Sequence, residues 1–164
     1  MGFFIGIDPG RNGGIAVIDH KRYIHKLIAM PEKETDLVQE FKQLAQYQNA
    51  IAVVERVNGF IGKSHPGSRM FNFGMNYGAI RILLVAYNIK FYAVSPVTWM
   101  NELELTRCGV CSRDKGWKKH LKETAVSLFR DRLRSRVVTY SNSDALLIAE
   151  YARRKYSENF QKIV

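Results

Sequence analysis

Three carboxylates stand where an apolar chain would not ordinarily place them. Asp8 ends the run Phe3-Phe4-Ile5-Gly6-Ile7, Glu55 ends Ala52-Val53-Val54, and Asp144 opens Ala145-Leu146-Leu147-Ile148-Ala149. A carboxylate at the rim of a buried element costs free energy unless a cation or a donor partners it. Hard oxygen donors, few in number and leaving room for water and a phosphate, are what Mg²⁺ takes, with Mn²⁺ as its substitute. Two such ions about 3.5–4 Å apart would activate a water and stabilise the leaving 3′-oxygen in an in-line phosphodiester hydrolysis. Each residue also has a plainer role open to it. Asp8 before Pro9-Gly10 suits a turn, Glu55 suits a pair with Arg56 or a distant lysine, and Asp144 suits the dipole of its own helix. Taken together, in this order and in these settings, Asp8, Glu55 and Asp144 point to a metal site.

The basic residues have a layout of their own. Of a formal net charge of +10, residues 56–136 contribute 15 Lys and Arg against 5 Asp and Glu, whereas residues 1–55 hold 6 against 7 and residues 137–164 hold 4 against 3. The excess therefore lies in the middle of the chain and suits a polyanion, either nucleic acid or an anionic membrane surface, although a solvated basic face would look the same. Residues 113–129 read as an amphipathic helix. Trp117, Leu121, Ala125 and Leu128 form one face, and Lys115, Lys118, Lys119 and Lys122 lie largely on another that is free for phosphate. Residues 57–69 carry glycines, a proline, Lys63 and Arg69 and read as a long exposed loop that follows Glu55 and Arg56. In it Phe60 either stacks on an unpaired base or anchors the loop to the core.

The elements that must position these groups follow from periodicity. Residues 3–8, 15–18 and 23–29 are expected as strands of an antiparallel meander, entered through the glycine-rich turn Gly10-Arg11-Asn12-Gly13-Gly14. Leu37, Phe41 and Leu44 recur at helical spacing, residues 51–55 return as a strand, and Met70 to Ala86 form a helix presenting Phe73, Tyr77, Ile80 and Leu84. A fifth strand covers 91–95, Pro96 opens a short helix through Trp99, and Asp144 to Tyr156 form a last helix with Ser141 or Ser143 as its cap. No repeat or linker breaks the 164 residues, so one domain spanning 1–164 is expected. No apolar run has the length of a bilayer span, and Asp8 comes too early for a secretory signal, so a cytoplasmic location is expected, in a host cell if the source is viral.

Ile5-Gly6-Ile7-Asp8-Pro9-Gly10 with Gly13-Gly14-Ile15-Ala16, then Val53-Val54-Glu55, then Ser143-Asp144-Ala145-Leu146-Leu147-Ile148-Ala149 resembles the RuvC family of Holliday junction resolvases over nearly the whole chain. Phe71-Asn72-Phe73-Gly74, Tyr77-Gly78 and Ala149-Glu150-Tyr151-Ala152-Arg153-Arg154 are most similar to the RuvC-like proteins of bacteriophages. The resemblance implies an α/β ribonuclease H-like fold with a five-stranded mixed sheet, a homodimer, and a metal-dependent endonuclease that nicks a four-way junction in symmetric pairs. By motif, Asp8, Glu55 and Asp144 would hold the metal, and Lys118 or Lys119 would steady the attacked phosphate. Gly74 and Gly78, one turn apart, would let a partner's backbone approach. The family's fourth ligand, three or four residues before the helix aspartate, has no acidic counterpart here, since Tyr140, Ser141 and Asn142 occupy the region. Glu150 is a poor substitute, six residues and about 240° around the helix from Asp144.

Cys108-Gly109-Val110-Cys111 is half of a zinc knuckle, which His65 or His120, or a second chain's cysteines, would have to complete, and reads as two reduced thiols instead. Rival readings remain. An actin-like ATPase also uses an aspartate–glycine hairpin, but it needs two lobes and a second phosphate loop. A non-catalytic junction-binding protein fits the missing fourth acid. A less selective branch or flap nuclease fits the carboxylates equally well, because they specify hydrolysis and leave the substrate's shape open.

Overall fold

Five apolar segments, each about six residues long, pair into a mixed sheet. In chain order the elements are β1 (Phe3–Asp8), β2 (Gly14–Asp19), β3 (Ile24–Ala29), α1 (Glu34–Leu44), β4 (Ala50–Glu55), α2 (Gly67–Ala86), β5 (Lys90–Val94), α3 (Pro96–Glu102), α4 (Lys115–Leu128) and α5 (Ser143–Tyr156), with a 3₁₀ turn at Arg130–Arg132. The structure is a computed structural model that describes residues 2–56, 67–105 and 115–158, and for Ser68, Arg69 and Lys115 the backbone only. The strand order is β3-β2-β1-β4-β5. β1, β2 and β3 pair antiparallel through short turns, whereas β4 and β5 run parallel to β1 because α1 and α2 carry the chain back across the sheet.

Both faces of the sheet are covered, which is why β1, β2 and β4 read as almost unbroken apolar runs. On one face Ile5, Ile7, Val17, Ala52 and Val54 pack with Leu37, Phe41 and Leu44 of α1 and with Ile80 and Leu84 of α2. On the other, Phe4, Ala16 and Val53 pack with Trp99 of α3, Leu121 and Ala125 of α4, and Ala145 to Ala149 of α5. The contact between α5 and β1 is close enough to require glycine. A Cβ on Gly6 would lie 2.0 Å from the Ala145 carbonyl oxygen and 2.3 Å from the Ala149 nitrogen.

Two local expectations differ from what is observed. Helix α2 begins at Gly67, so Arg69 stands in its first turn and not in a loop. The cap of α5 is neither Ser141 nor Ser143 but Asn142, whose side chain turns back to accept from the Thr139 N–H at 2.7 Å and to donate to the Val137 carbonyl. The turn before the helix competes for that amide and wins it. Among the described residues no helix is long and apolar enough to cross a membrane.

Candidate active site

Side chains alternate along a strand, so Phe4, Gly6 and Asp8 share the face of β1 that meets α5, as Val53 and Glu55 do on β4. β1 and β4 run parallel with Ile7 opposite Val54, which leaves Asp8 and Glu55 at neighbouring carboxyl ends of central strands. Crevices at such strand ends are where open α/β sheets bind ligands. α5 is pressed against Gly6 by its Ala145 and Ala149, and this carries Asp144 to the same rim. Asp8 and Asp144 are buried, and Glu55 is partly so.

The three carboxylates act on one another. Burial, and then the charges of Glu55 and Asp144, push Asp8 well above the usual carboxylate range. Burial also raises Glu55, with Asp144 adding to it, while the hydrogen bond from Trp99 and the charge of Lys118 pull the other way. For Lys118 burial alone would lower the ammonium, but Asp144, Asp8 and Glu55 together hold it above its ordinary value. The Lys118 ammonium hydrogen-bonds Asp144 Oδ2, and Ser143 Oγ donates to Asp144 Oδ1 at 3.1 Å. Trp99 Nε1 donates to Glu55 Oε2 at 2.7 Å, which orients that carboxylate. Among the described residues, then, Glu55 takes the tryptophan and not Arg56, whose side chain is exposed.

Other expected contact residues fall elsewhere. Lys119 points away from the carboxylates toward Glu123 at 3.8 Å on the exposed face of α4. Lys122 lies over the Tyr140 ring, 4.8 Å from its centroid. Phe60, Lys63, Cys108 and Cys111 lie outside the described residues, as do the side chains of Arg69 and Lys115. Asn142 is spent on its turn and Tyr140 on Lys122, so neither offers an oxygen anion beside Asp144. Glu150 is buried far along α5, held by Arg153 at 2.8 Å and Arg154 at 3.1 Å, in keeping with its poor position as a fourth ligand.

Trp99 and Ser143 are the supporting groups that sequence reasoning missed. The signal for Trp99 was faint: a large indole in a short helix that Pro96 and Ser95 start immediately after β5. Beside the carboxylates a broad cleft of about 1130 Å³ opens between Gly10, Asn12, Met30, Phe73, Asn76 and Ser141. Asn76 of α2 accepts from the Gly10 N–H at 2.9 Å. Gly10 has φ +105°, and a Cβ there would strike the Phe73 ring, so the turn after Asp8 is locked under α2.

The donor set fits Mg²⁺ in kind. Three carboxylates share a buried rim, where burial and neighbouring negative charge hold Asp8 and Glu55 above the usual carboxylate range and an ammonium is drawn in, which is an excess of negative charge that a divalent cation would neutralise. Among the described residues no three acidic, histidine or cysteine side chains are drawn in closely enough to grip one ion.

No protein-family model matches the chain, and no curated protein matches its sequence. Solved structures do match its fold. The structure of T. thermophilus RuvC in complex with Holliday junction substrate aligns with a TM-score of 0.63 at 16% identity, covering 97% of this chain and 96% of that one. A Thermus thermophilus RuvC structure aligns at 0.62 and 17% identity, covering 96% of each chain. The five-stranded mixed sheet with its flanking helices is the ribonuclease H-like fold that RuvC has.

Proposed function

We propose that this chain is a metal-dependent endonuclease that resolves Holliday junctions or similar branched DNA during recombination and repair, as a RuvC-like enzyme of the bacteriophage type. One observation carries the reading: Asp8, Glu55 and Asp144 gather from two parallel strands and a helix onto one buried rim. The likeness in fold to a RuvC bound to Holliday junction substrate supports the choice of DNA. Residues 1–164 then form one nuclease domain acting in the cytoplasm.

In this reading Asp8, Glu55 and Asp144 hold Mg²⁺, or Mn²⁺ in its place. A metal bound there would supply Lewis-acid polarisation of the phosphodiester and would make the attacking water easier to deprotonate. Trp99 keeps one Glu55 oxygen oriented, and Ser143 does the same for Asp144. Lys118, half exposed, stands at the rim where it can hold a non-bridging oxygen of the attacked phosphate. Lys119, Lys122, Arg56, Lys63, Arg69 and Lys115 contribute phosphate contacts along the DNA, with Phe60 at the branch point.

The partner for a symmetric junction is a second copy of the chain. α2 leaves Phe71, Met75, Ile82 and Val85 exposed. With Gly78 they fall within an arc of about 80° at 3.6 residues per turn. Gly74 and Gly78 have open space where a Cβ would stand, so another helix can come close. A contiguous apolar stripe of this kind is what an isologous dimer buries.

The test is cleavage of a labelled four-way junction beside linear duplex in Mg²⁺ and in Mn²⁺, with Asp8→Asn as comparison. Paired symmetric nicks are expected on the junction, slower by about a hundredfold or more in Asp8→Asn. The lack of an acid at Tyr140, Ser141 and Asn142 favours a second reading, a junction-binding protein without catalysis, and tight binding with no nick in either metal would establish it. Neither binding nor cutting would overturn both.

A further inference from the structure

The opposite end of the sheet carries a second concentration of positive charge. β2 starts beside Asp8 and ends at Asp19, which pairs with Phe3, so this end lies on the order of 17 Å from the carboxylates. There a cavity of about 280 Å³ is walled by Asp19, Tyr23, His25, Arg132, Arg134 and Arg136. The Arg132 guanidinium sits 4.6 Å from the Tyr23 ring centroid and that of Arg134 5.6 Å from it, while Arg136 Nη2 donates to the His25 carbonyl at 3.3 Å.

The cavity's one carboxylate does not neutralise them. Asp19 is 1% exposed. Its Oδ1 accepts from the Lys21 and Tyr23 N–H groups at 2.8 and 2.9 Å, and its Oδ2 faces His25 Nε2 at 3.1 Å. Among the described residues none of the three guanidiniums forms an ion pair, whereas Arg22, Arg153 and Arg154 all converge on Glu150. Arg134 is moreover held at φ +52°, a region that disfavours an L side chain and admits asparagine more readily.

We propose that this cavity is a phosphate-binding site, in which Arg132, Arg134 and Arg136 grip a phosphate group. Guanidinium forks match phosphate oxygens in pairs, and the Tyr23 ring holds two of them in place without consuming a hydrogen bond. The same chemistry serves a nucleic-acid backbone or a free phosphorylated molecule. The proposal does not depend on cleavage, because the site shares no residue with the carboxylate rim.

The test uses Arg134→Asn, which removes a cation while relieving its backbone, and the double variant with Arg132→Gln, both measured without divalent metal. Melting temperature is read in pyrophosphate against chloride of equal ionic strength, and affinity for linear duplex is read against salt. A pyrophosphate-induced rise in wild type that is lost in the variants, with pyrophosphate affinity down about tenfold or more per guanidinium and the duplex salt slope unchanged, identifies a free-anion site. No pyrophosphate response, but a DNA salt slope lower by about one per arginine removed, identifies a backbone contact. Variants that melt at or above wild type and match it in both measurements overturn the proposal.

Discussion

Asp8 holds its proton more tightly in the folded chain than unfolded, because burial and the neighbouring Glu55 and Asp144 disfavour its charge. A folded pKa above the unfolded one means that ionisation costs stability. The cost begins as pH rises past the unfolded value near 4 and is complete once pH exceeds the folded value. Asp8→Asn removes that cost, so at neutral pH and without divalent metal its melting temperature should rise by at least about 2 °C, where each kcal/mol is worth roughly 2–4 °C. Calorimetry on the metal-free proteins checks this, and an unchanged or lower midpoint would mean that the rim is not strained by its own charge. If the chain is the nuclease proposed above, the same substitution should also slow nicking by about a hundredfold or more, the opposition between stability and function expected where carboxylates are held together for a cation.

Helix α5 is fixed at both ends by different means. Its first turns lie on Gly6, and its later turns bury Glu150 among Arg153, Arg154 and Arg22, the last reaching in from the turn between β2 and β3. Burial by itself would raise the Glu150 carboxyl, but the hydrogen bonds and charge of Arg153, with Arg154 and Arg22, bring it below its ordinary value. A depressed folded pKa contributes stability that is present above the unfolded pKa near 4.3 and is lost as pH falls through the folded value. Glu150→Gln should therefore cost about 2 kcal/mol at neutral pH, and the gap to wild type should close below about pH 4. Urea unfolding across a pH series checks it. A gap that persists undiminished in acid would show that Glu150 acts through packing and not through its charge.

At the scale of the whole molecule, the two sheet faces are unequally served. α3, α4 and α5 cover one, while α1 and α2 cover the other and leave the outer stripe of α2 to solvent. If a second copy covers that stripe, Ile82→Glu should place an unpaired charge in the interface and yield a folded monomer. Sedimentation or size exclusion with a circular-dichroism control checks it, and a wild-type protein that is already monomeric at assay concentration would remove the dimer from the proposal. The two basic regions differ in the same way. Lys118 meets carboxylates of the rim, whereas Arg132 and Arg134 of the far end meet an aromatic ring, so the first balances charge while the second keeps it available.

What the sequence determined by itself was local: the five strands, from apolar runs and short turns, and the three carboxylates, from acids that end or open those runs. Burial leaves such patterns because each residue's cost is incurred where it stands. The α5 cap was misread for the converse reason, since Asn142 resembles Ser141 and Ser143 as a cap and only the turn to Thr139 chooses among them. Tertiary structure alone decided that Lys118 rather than Lys119 meets Asp144, that Trp99 orients Glu55 from 44 residues away, and that three arginines around Tyr23 share a cavity. Those are contacts between elements, set by which helix crosses which face of the sheet, and no periodicity along the chain records them.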